Sequence, residues 1–222
     1  LSGDPQTAIA VYDSSQIVAQ RLARRLHETN GLIQATSRTE LFRAKVVVLA
    51  GSSPHAPVAK ELLERNVSVV STSDDIADCL NLLAFSELAV KKNATLVIGA
   101  ASSPGMSGLL VRNMSKAFDS IDEVHIALHG TGGPACARQH HRALSGQSIG
   151  WHDGEWLRRP AGSGRELCWF PEPVGAYDCY RGELPDPLLI KRAFPELSRV
   201  TARVSATRRD RVFARMPMLI PP

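Results

Sequence analysis

The chain has 222 residues, of which 44% are hydrophobic and 22% are charged, a composition typical of an ordinary globular protein with one large or two small domains. Its formal net charge of +4 is compatible with a phosphate-bearing ligand but too small to indicate nucleic acid binding, and no apolar run approaches the roughly 20 residues of a transmembrane helix. The four cysteines lack CxxC spacing and no segment resembles a signal peptide, so we expect a reduced, cytoplasmic protein.

The first half of the chain alternates between short apolar runs and helical patterns. Strands are predicted at 8–13, 32–36, 45–51, 67–72 and 94–100. Helices are predicted at 16–28 and 56–65, from 74 towards 92, and at 104–118. This alternation predicts a parallel sheet with crossover helices, and the near-continuous Val, Ile and Leu of the strands predict that both faces are covered.

The pattern changes near residue 120. The segment "DEVHIALHG" alternates, with His125, Ala127 and His129 on one face, which predicts a half-exposed strand. The segment "GTGGPACARQHHRAL" predicts a glycine turn followed by a short helix. Further strands are predicted at 151–159, 165–173 and 199–209, and a helix before the last of them has Asp186 as its cap and Pro187 at its first position.

The predicted fold class is therefore α/β with two domains. Residues 1–120 form a Rossmann-like, mostly parallel sheet that lacks its first strand and glycine-rich loop. Residues 121–222 form a smaller α+β domain with a mixed or antiparallel sheet, which serves in substrate binding or dimerisation.

Asp13 ends the first predicted strand, "AIAVYD". At the end of the second strand of a dinucleotide-binding fold, a carboxylate accepts hydrogen bonds from the ribose hydroxyls of adenosine and repels a 2′-phosphate. This position slightly favours NAD over NADP. The same carboxylate would also serve as a cap for the helix that follows. Within the alternating pattern we prefer the ribose role.

Small residues follow two other predicted strands, in "LAGSSPHAP" and "GAASSPGMSGLL". Ligands of doubly wound sheets lie at the carboxyl ends of the strands, where glycine allows close approach and helix N-termini offer N–H groups to anions. The alternatives are a plain strand-to-helix turn with serine caps and a glycine that packs the helix against the sheet. The candidate cofactor contacts are Ala50, Gly51, Ser52, Gly99, Pro104 and Gly105.

Histidines and a cysteine crowd the segment "HGTGGPACARQHH". Zinc requires three or four ligands around one centre, and no second ligand pair here has a recognised metal spacing, so no metal is expected. Cys136 as a nucleophile activated by His140 is another interpretation. The glycine turn better suits a substrate or anion loop with a histidine as general acid or base, for which His129 and His140 are the candidates.

Several polar side chains lie among the turns of "RPAGSGRELCWFPEPVGAYDCYRGELPDP". Arginine binds carboxylates in a bidentate way, so Arg165 and Arg181 are candidates for holding a substrate carboxylate. Trp169 and Phe170 are better explained as residues that cover the sheet.

The strand pair "VVVLAGSSP…VSVVSTSDD", the segment "GAASSPGMSGLL" and the tail "ELPDPLLIKRAFPELSRVTARVS" resemble the saccharopine dehydrogenase-like oxidoreductases over most of the chain. The histidine- and cysteine-bearing segments are closer to an actinobacterial branch of that group. The resemblance implies NAD(P)-linked chemistry at a C–N bond of a small, amino-acid-derived substrate. It places Asp13 at the ribose contact, 50–52 in a loop near the cofactor, and Gly99, Pro104 and Gly105 where the last nucleotide-domain strand meets its helix.

That family begins with a strand and a GxGxxG-type turn that holds the pyrophosphate, whereas this sequence opens with "LSGDPQTAIAVYD". We therefore expect that a leading segment of roughly 20 to 25 residues, one strand and one helix, is missing. The alternative is a non-catalytic Rossmann-like module that binds a partner or dimerises, because a pyrophosphate without the loop's N–H groups loses its main anchor. Neither interpretation involves nucleic acid or a membrane, and both leave a homodimer open.

Overall fold

A computed structural model describes residues 8–27, 33–130 and 134–214. Residues 131–133 of the predicted glycine turn, the opening "LSGDP" and the closing "MPMLIPP" lie outside this description.

Strands and α-helices alternate through the described part of the chain. The strands are β1 (Ile9–Val11), β2 (Ile33–Ala35), β3 (Val46–Leu49), β4 (Ser68–Ser71), β5 (Leu96–Ile98), β6 (Glu123–Leu128), β7 (Gln147–His152), β8 (Glu155–Pro160), β9 (Glu166–Phe170), β10 (Gly175–Arg181) and β11 (Arg199–Ser205). The α-helices are α1 (Gln16–His27), α2 (Ala56–Glu64), α3 (Ile76–Leu83), α4 (Ser86–Lys91), α5 (Met106–Met114), α6 (Pro134–Ser145), α7 (Asp186–Ala193) and α8 (Arg208–Ala214).

The first five strands form two sheets. Strands β1 and β2 pair in parallel, and β3, β4 and β5 form a separate sheet in that order. The amide of Val69 donates to the Thr95 carbonyl, and the amide of Ala100 donates to the Ser71 carbonyl. Strands β4 and β5 therefore run in the same direction, as in a parallel pair. The predicted α/β class with parallel strands and crossover helices is confirmed.

Two details of this region differ from the prediction. Val46 and Val48 of β3 are 53% and 48% exposed, so the expectation that both faces of this strand are covered is wrong. The long helix predicted from residue 74 towards 92 is two helices, α3 and α4. They separate at Phe85, whose ψ of 9° lies outside the helical region and interrupts the ladder.

The remaining six strands form one mixed sheet centred on β11. One edge of β11 pairs in parallel with β6 over 199–204. The other edge is shared between β7, which pairs with β11 at Arg199 and Val200, and β10, which pairs with it over 203–205. Strands β8 and β9 extend the sheet outwards from β7 and β10. The predicted mixed or antiparallel sheet of the second half is confirmed.

Alternation along β11 separates the two faces of this sheet. Val200, Ala202 and Val204 are buried and pack against apolar side chains of α5, α6 and α7. We call this the helix face. Because side chains alternate along a strand, Arg199, Thr201 and Arg203 lie on the opposite face, which we call the open face.

The single strand predicted over 151–159 is two strands, β7 and β8, which pair as a hairpin. Sequence reasoning also missed two further elements and misplaced one cap. Strand β10 and helix α8 were not predicted, and the strand expected over 199–209 ends at Ser205. Helix α7 was predicted, but Pro185 is its cap and Asp186 is its first residue.

The chain packs into two compact units. The first comprises Leu1–Leu49, Pro57–Val70 and Phe85–Leu96, and the second comprises Ala50–Ala56, Ser71–Ala84 and Val97–Pro222. The second unit thus contains both the six-stranded sheet and the loops that follow β3, β4 and β5. The domain boundary near residue 120 stays a prediction. None of the helices within the described residues is long and apolar enough to cross a bilayer.

Candidate functional site

The loop after β3 is held by a buried histidine. The Nε2 of His55, which is 4% exposed, lies 3.0 Å from the Gly51 carbonyl, and its Nδ1 lies 2.9 Å from the Ser71 hydroxyl. Since a carbonyl only accepts, Nε2 donates to Gly51, and in the neutral ring Nδ1 then accepts from the Ser71 hydroxyl. His55 therefore fixes the turn at Gly51 against the end of β4.

The amino end of α2 is occupied by a carboxylate of the same chain. Asp78 accepts hydrogen bonds from the backbone N–H of His55 at 2.8 Å and of Ala56 at 2.9 Å. Burial opposes ionisation, but these bonds and one from Ser73 outweigh it and lower the pKa of Asp78. These two N–H groups, the anion site expected at this helix start, are therefore taken by Asp78.

The turn itself stands open. Ala50, Gly51 and Ser52 are exposed, and a Cβ built on Gly51 would meet no atom within 4 Å. Packing thus gives no reason for a glycine at this position. The role of 50–52 as cofactor contacts stays a prediction.

The loop after β5 is, by contrast, tightly packed. A Cβ on Gly105, whose φ is +143°, would lie 2.3 Å from the Ala101 carbonyl oxygen. A Cβ on Gly99 would lie 2.7 Å from Cδ1 of Leu189, and Pro104 between them is buried. Close packing is therefore enough to explain the glycines at positions 99 and 105, which was the alternative interpretation.

A buried carboxylate anchors this loop to α7. Asp186 is 1% exposed and accepts hydrogen bonds from the hydroxyls of Ser103 and Ser107, each at 2.5 Å. Two charge-assisted hydrogen bonds offset much of the cost of burying the carboxylate. Asp186 therefore fixes the position of the β5–α5 loop.

Two further carboxyl groups have raised pKa values. Burial raises the pKa of Asp74, which follows β4. A hydrogen bond from the Asp74 backbone opposes this rise, and the charge of neighbouring Asp75 adds to it. Burial also raises the pKa of Glu183, with a smaller contribution from Asp75. Carboxyl groups of this kind are candidates for proton transfer.

Asp13 lies in the first unit and is exposed. Its Oδ1 accepts the backbone N–H of Ser15 at 2.8 Å, just before α1 begins at Gln16. This bond closes an Asx turn just before the helix, and the ribose role of Asp13 stays a prediction.

The two histidines proposed for proton transfer sit in different surroundings. The ring of His129 is exposed and contacts Tyr177 and Phe170 at centroid distances of 4.6 and 5.2 Å. Burial lowers the pKa of His140 on α6, and the nearby Asp210 opposes that shift. A lowered pKa favours the neutral imidazole, which is the form that a general base requires.

The two arginines proposed for substrate binding have different partners. Arg165 forms an exposed ion pair with Asp178 at 2.9 Å. Arg181 pairs with Arg203 across the β10–β11 ladder, which places it on the open face. The sequence analysis gave both arginines the same role, whereas the structure gives them different surroundings.

Within the described residues, no group of three or more His, Cys, Asp or Glu is arranged to hold a metal ion.

The sequence matches no protein-family model and no curated protein. Among solved structures, apo saccharopine dehydrogenase (L-Glu forming) from Saccharomyces cerevisiae is similar with a TM-score of 0.65 at 18% identity, over 96% of this chain and 53% of that chain. The chain thus spans about half the length of that enzyme.

Two further solved structures are similar at lower scores. Biliverdin reductase from Synechocystis, in complex with biliverdin and NADP+, has a TM-score of 0.42 at 12% identity, over 92% of this chain and 66% of its own. The WlbA dehydrogenase from Bordetella pertussis, in complex with NADH and UDP-GlcNAcA, has a TM-score of 0.43 at 11% identity, over 90% and 58%. At these identities the likeness to saccharopine dehydrogenase shows the fold, a Rossmann-like region with parallel strands and a separate mixed sheet.

Proposed function

We propose that the chain is part of an oxidoreductase that acts with NAD or NADP on a C–N bond of a small, amino-acid-derived substrate. The observation that carries the proposal is the open turn 50–52 at the carboxyl end of β3, which buried His55 holds in place. In a doubly wound sheet this edge is where a dinucleotide lies. The likeness to saccharopine dehydrogenase supplies the fold for such a site.

The separation of the first two sheets supports a dinucleotide-binding role. In the strand order 3-2-1-4-5-6, the first strand lies between the second and the fourth. Strands β1 and β2 correspond to strands 2 and 3 of that order, and β3 to strand 4, so one further strand would join the two sheets observed here. The exposed Val46 and Val48 of β3 give such a strand and its helix an apolar surface to cover.

We assign the chemistry as follows. A bound nicotinamide would supply the acceptor or donor of a hydride at the carbon of the substrate C–N bond. His129 or His140 moves the accompanying proton, Asp13 accepts from the adenosine ribose, and Arg165 or Arg181 holds a substrate carboxylate. Asp74 and Glu183 join the histidines as candidates, because burial raises the pKa of both.

Calorimetric titration of the full natural protein with NADH and with NADPH tests the proposal. We expect heat with at least one of them. Gly51→Val should abolish it without loss of stability, because the new side chain would fill open space at a position without positive φ. Gly108→Ala, also in open space but on α5, is the control and should bind as the wild type does. If neither NADH nor NADPH gave heat, the proposal would be refuted.

A partner-binding or dimerisation module is the second candidate function. The observation that favours it is the apolar surface of α5, where Met106, Leu110 and Met114 are 56%, 56% and 61% exposed. Exposed apolar patches mark interaction sites. Sedimentation of the wild type and of Leu110→Glu would show whether a homodimer depends on this helix. The four free cysteines suit a cytoplasmic location for either function.

A further inference from the structure

The open face of the six-stranded sheet contains a depression of about 310 Å³. This volume is at the lower end of the range for ligand sites, so a small molecule would fill it. Its polar lining comes from all six strands of the sheet and includes Arg159, Arg181, Arg199, Arg203, His152 and Glu166. The depression lies across the sheet from α5 and α7, the helices that are linked through Asp186.

Only part of the positive charge in this depression is balanced. Glu166 is the one carboxylate among its described lining residues, and it pairs with Arg203 at 2.5 Å. The guanidinium of Arg199 donates to Nδ1 of His152 at 3.2 Å and lies 3.5 Å from a carboxylate oxygen of Glu123.

The other two guanidiniums have no carboxylate partner within the described part of the chain. Arg181 donates to the Ser163 hydroxyl at 3.3 Å, a neutral acceptor. Arg159, on β8, has no hydrogen bond or ion pair to another described side chain. The charges of Arg159 and Arg181 thus face one small space, and within the described residues neither is paired with a carboxylate.

The titration behaviour of the neighbouring groups agrees with an excess of positive charge. Burial lowers the pKa of Arg181, and Arg203 and Arg159 lower it further. Burial, Arg199 and Arg159 likewise lower the pKa of His152. A neutral His152 that accepts from Arg199 through Nδ1 carries its proton on Nε2, which adds one neutral donor to the lining.

We propose that this depression binds a small polyanion, a molecule with at least two carboxylate or phosphate groups, between Arg159 and Arg181. Planar guanidinium groups bind both kinds of anion in a bidentate way. The site shares Arg181 with the proposed substrate contacts, but anion binding there needs no cofactor and is measured on the nucleotide-free protein.

Calorimetric titration of the nucleotide-free protein with inorganic pyrophosphate and with citrate, at constant ionic strength, tests the proposal. We expect at least one of them to bind, and the stronger of the two identifies phosphate or carboxylate as the preferred group. Arg159→Gln should weaken binding by roughly tenfold or more, because it removes a charged donor. Its neighbour Arg158, which alternation places on the opposite face of β8, provides the control, and Arg158→Gln should bind as the wild type does.

Two results would overturn the proposal. One is the absence of binding of both anions by the wild type, and the other is an equal loss in the two variants, which would indicate nonspecific attraction to a basic protein. If the Arg159 variant fails to fold, the ring resonances of His152 in the wild type decide, since a bound anion should shift them and leave those of buried His55 unchanged.

A second copy of the chain is the competing occupant of the open face. In that case the wild type would sediment as a dimer and would bind neither anion. Arg159→Gln would then weaken the dimer. This result would also refute the small-molecule site.

Discussion

The loops after β3, β4 and β5 differ from the open face of the six-stranded sheet in whether their charged side chains have partners within the chain. In the loops, the buried Asp78 and Asp186 each have two or more donors from the same chain. On the open face, Arg159 and Arg181 face a depression without an acid to match them. A carboxylate that the chain has already satisfied builds structure, whereas an unmatched guanidinium beside a cavity is available to a ligand.

Gly105→Ala should have the largest effect on stability. The residue has φ +143°, and its Cβ would lie 2.3 Å from a backbone oxygen that cannot move away cheaply. We expect a loss of about 3 kcal/mol or more in the free energy of unfolding. Gly108→Ala on the same helix has open space and should gain up to about 1 kcal/mol. Urea denaturation compares the two, and equal stability would show that the loop after β5 is not locked.

Asp186→Ala should come next, because it leaves the hydroxyls of half-buried Ser103 and buried Ser107 without their acceptor. We expect a loss of about 2–4 kcal/mol, and about 1–2 kcal/mol for Ser107→Ala, which removes a single bond. The double variant should lose less than the sum of the two, since both changes break the same contact. Full additivity in thermal denaturation would contradict the anchor that we describe.

Asp78→Asn should change how stability depends on pH. The folded pKa of Asp78 is lowered, so its contribution is present above the ordinary aspartate pKa of about 3.9 and is lost as the pH falls through the folded pKa. The variant should lose about 1–3 kcal/mol at neutral pH and show a shallower decline below about pH 4. Parallel acid-unfolding curves for wild type and variant would disprove this role.

Glu166→Gln should have the smallest effect on stability and the opposite effect on binding. It removes the carboxylate that pairs with Arg203 and leaves the depression more positive. We expect the affinity for pyrophosphate or citrate to rise a few-fold at constant ionic strength. A fall in affinity would place Glu166 among the groups that bind the ligand.

The parallel sheets were predictable because their signals are local. Apolar runs of four to six residues and helical spacing suffice to place β3, β4 and α2. Strand β10 was missed because "GAYDCYR" carries no apolar run. Its pairing with β9 depends on a turn in which the Val174 amide donates to the Pro171 carbonyl. Helix α8 did have a local signal, the capping box in which Thr207 and Asp210 exchange hydrogen bonds.

The candidate site was less predictable, because its parts meet only in three dimensions. Asp186 was interpreted as a helix cap, although its partners Ser103 and Ser107 lie about 80 positions earlier in the chain. Asp78 had a visible signal, a single acid within the otherwise apolar "IADCLNLL" of α3, which indicates a buried carboxylate that needs donors. The basic depression had none, since its arginines come from separate strands whose register the sequence does not specify.

The position of β11 determines when the larger sheet can assemble. Strands β7 and β8 form one local hairpin and β9 and β10 form another, but among the described strands β6 pairs only with β11, 76 positions further along. Until 199–205 emerges from the ribosome, the two hairpins share no common strand, and β6 lies without a neighbour. Contacts this distant form slowly, so the second unit should mature only after most of the chain has been synthesised.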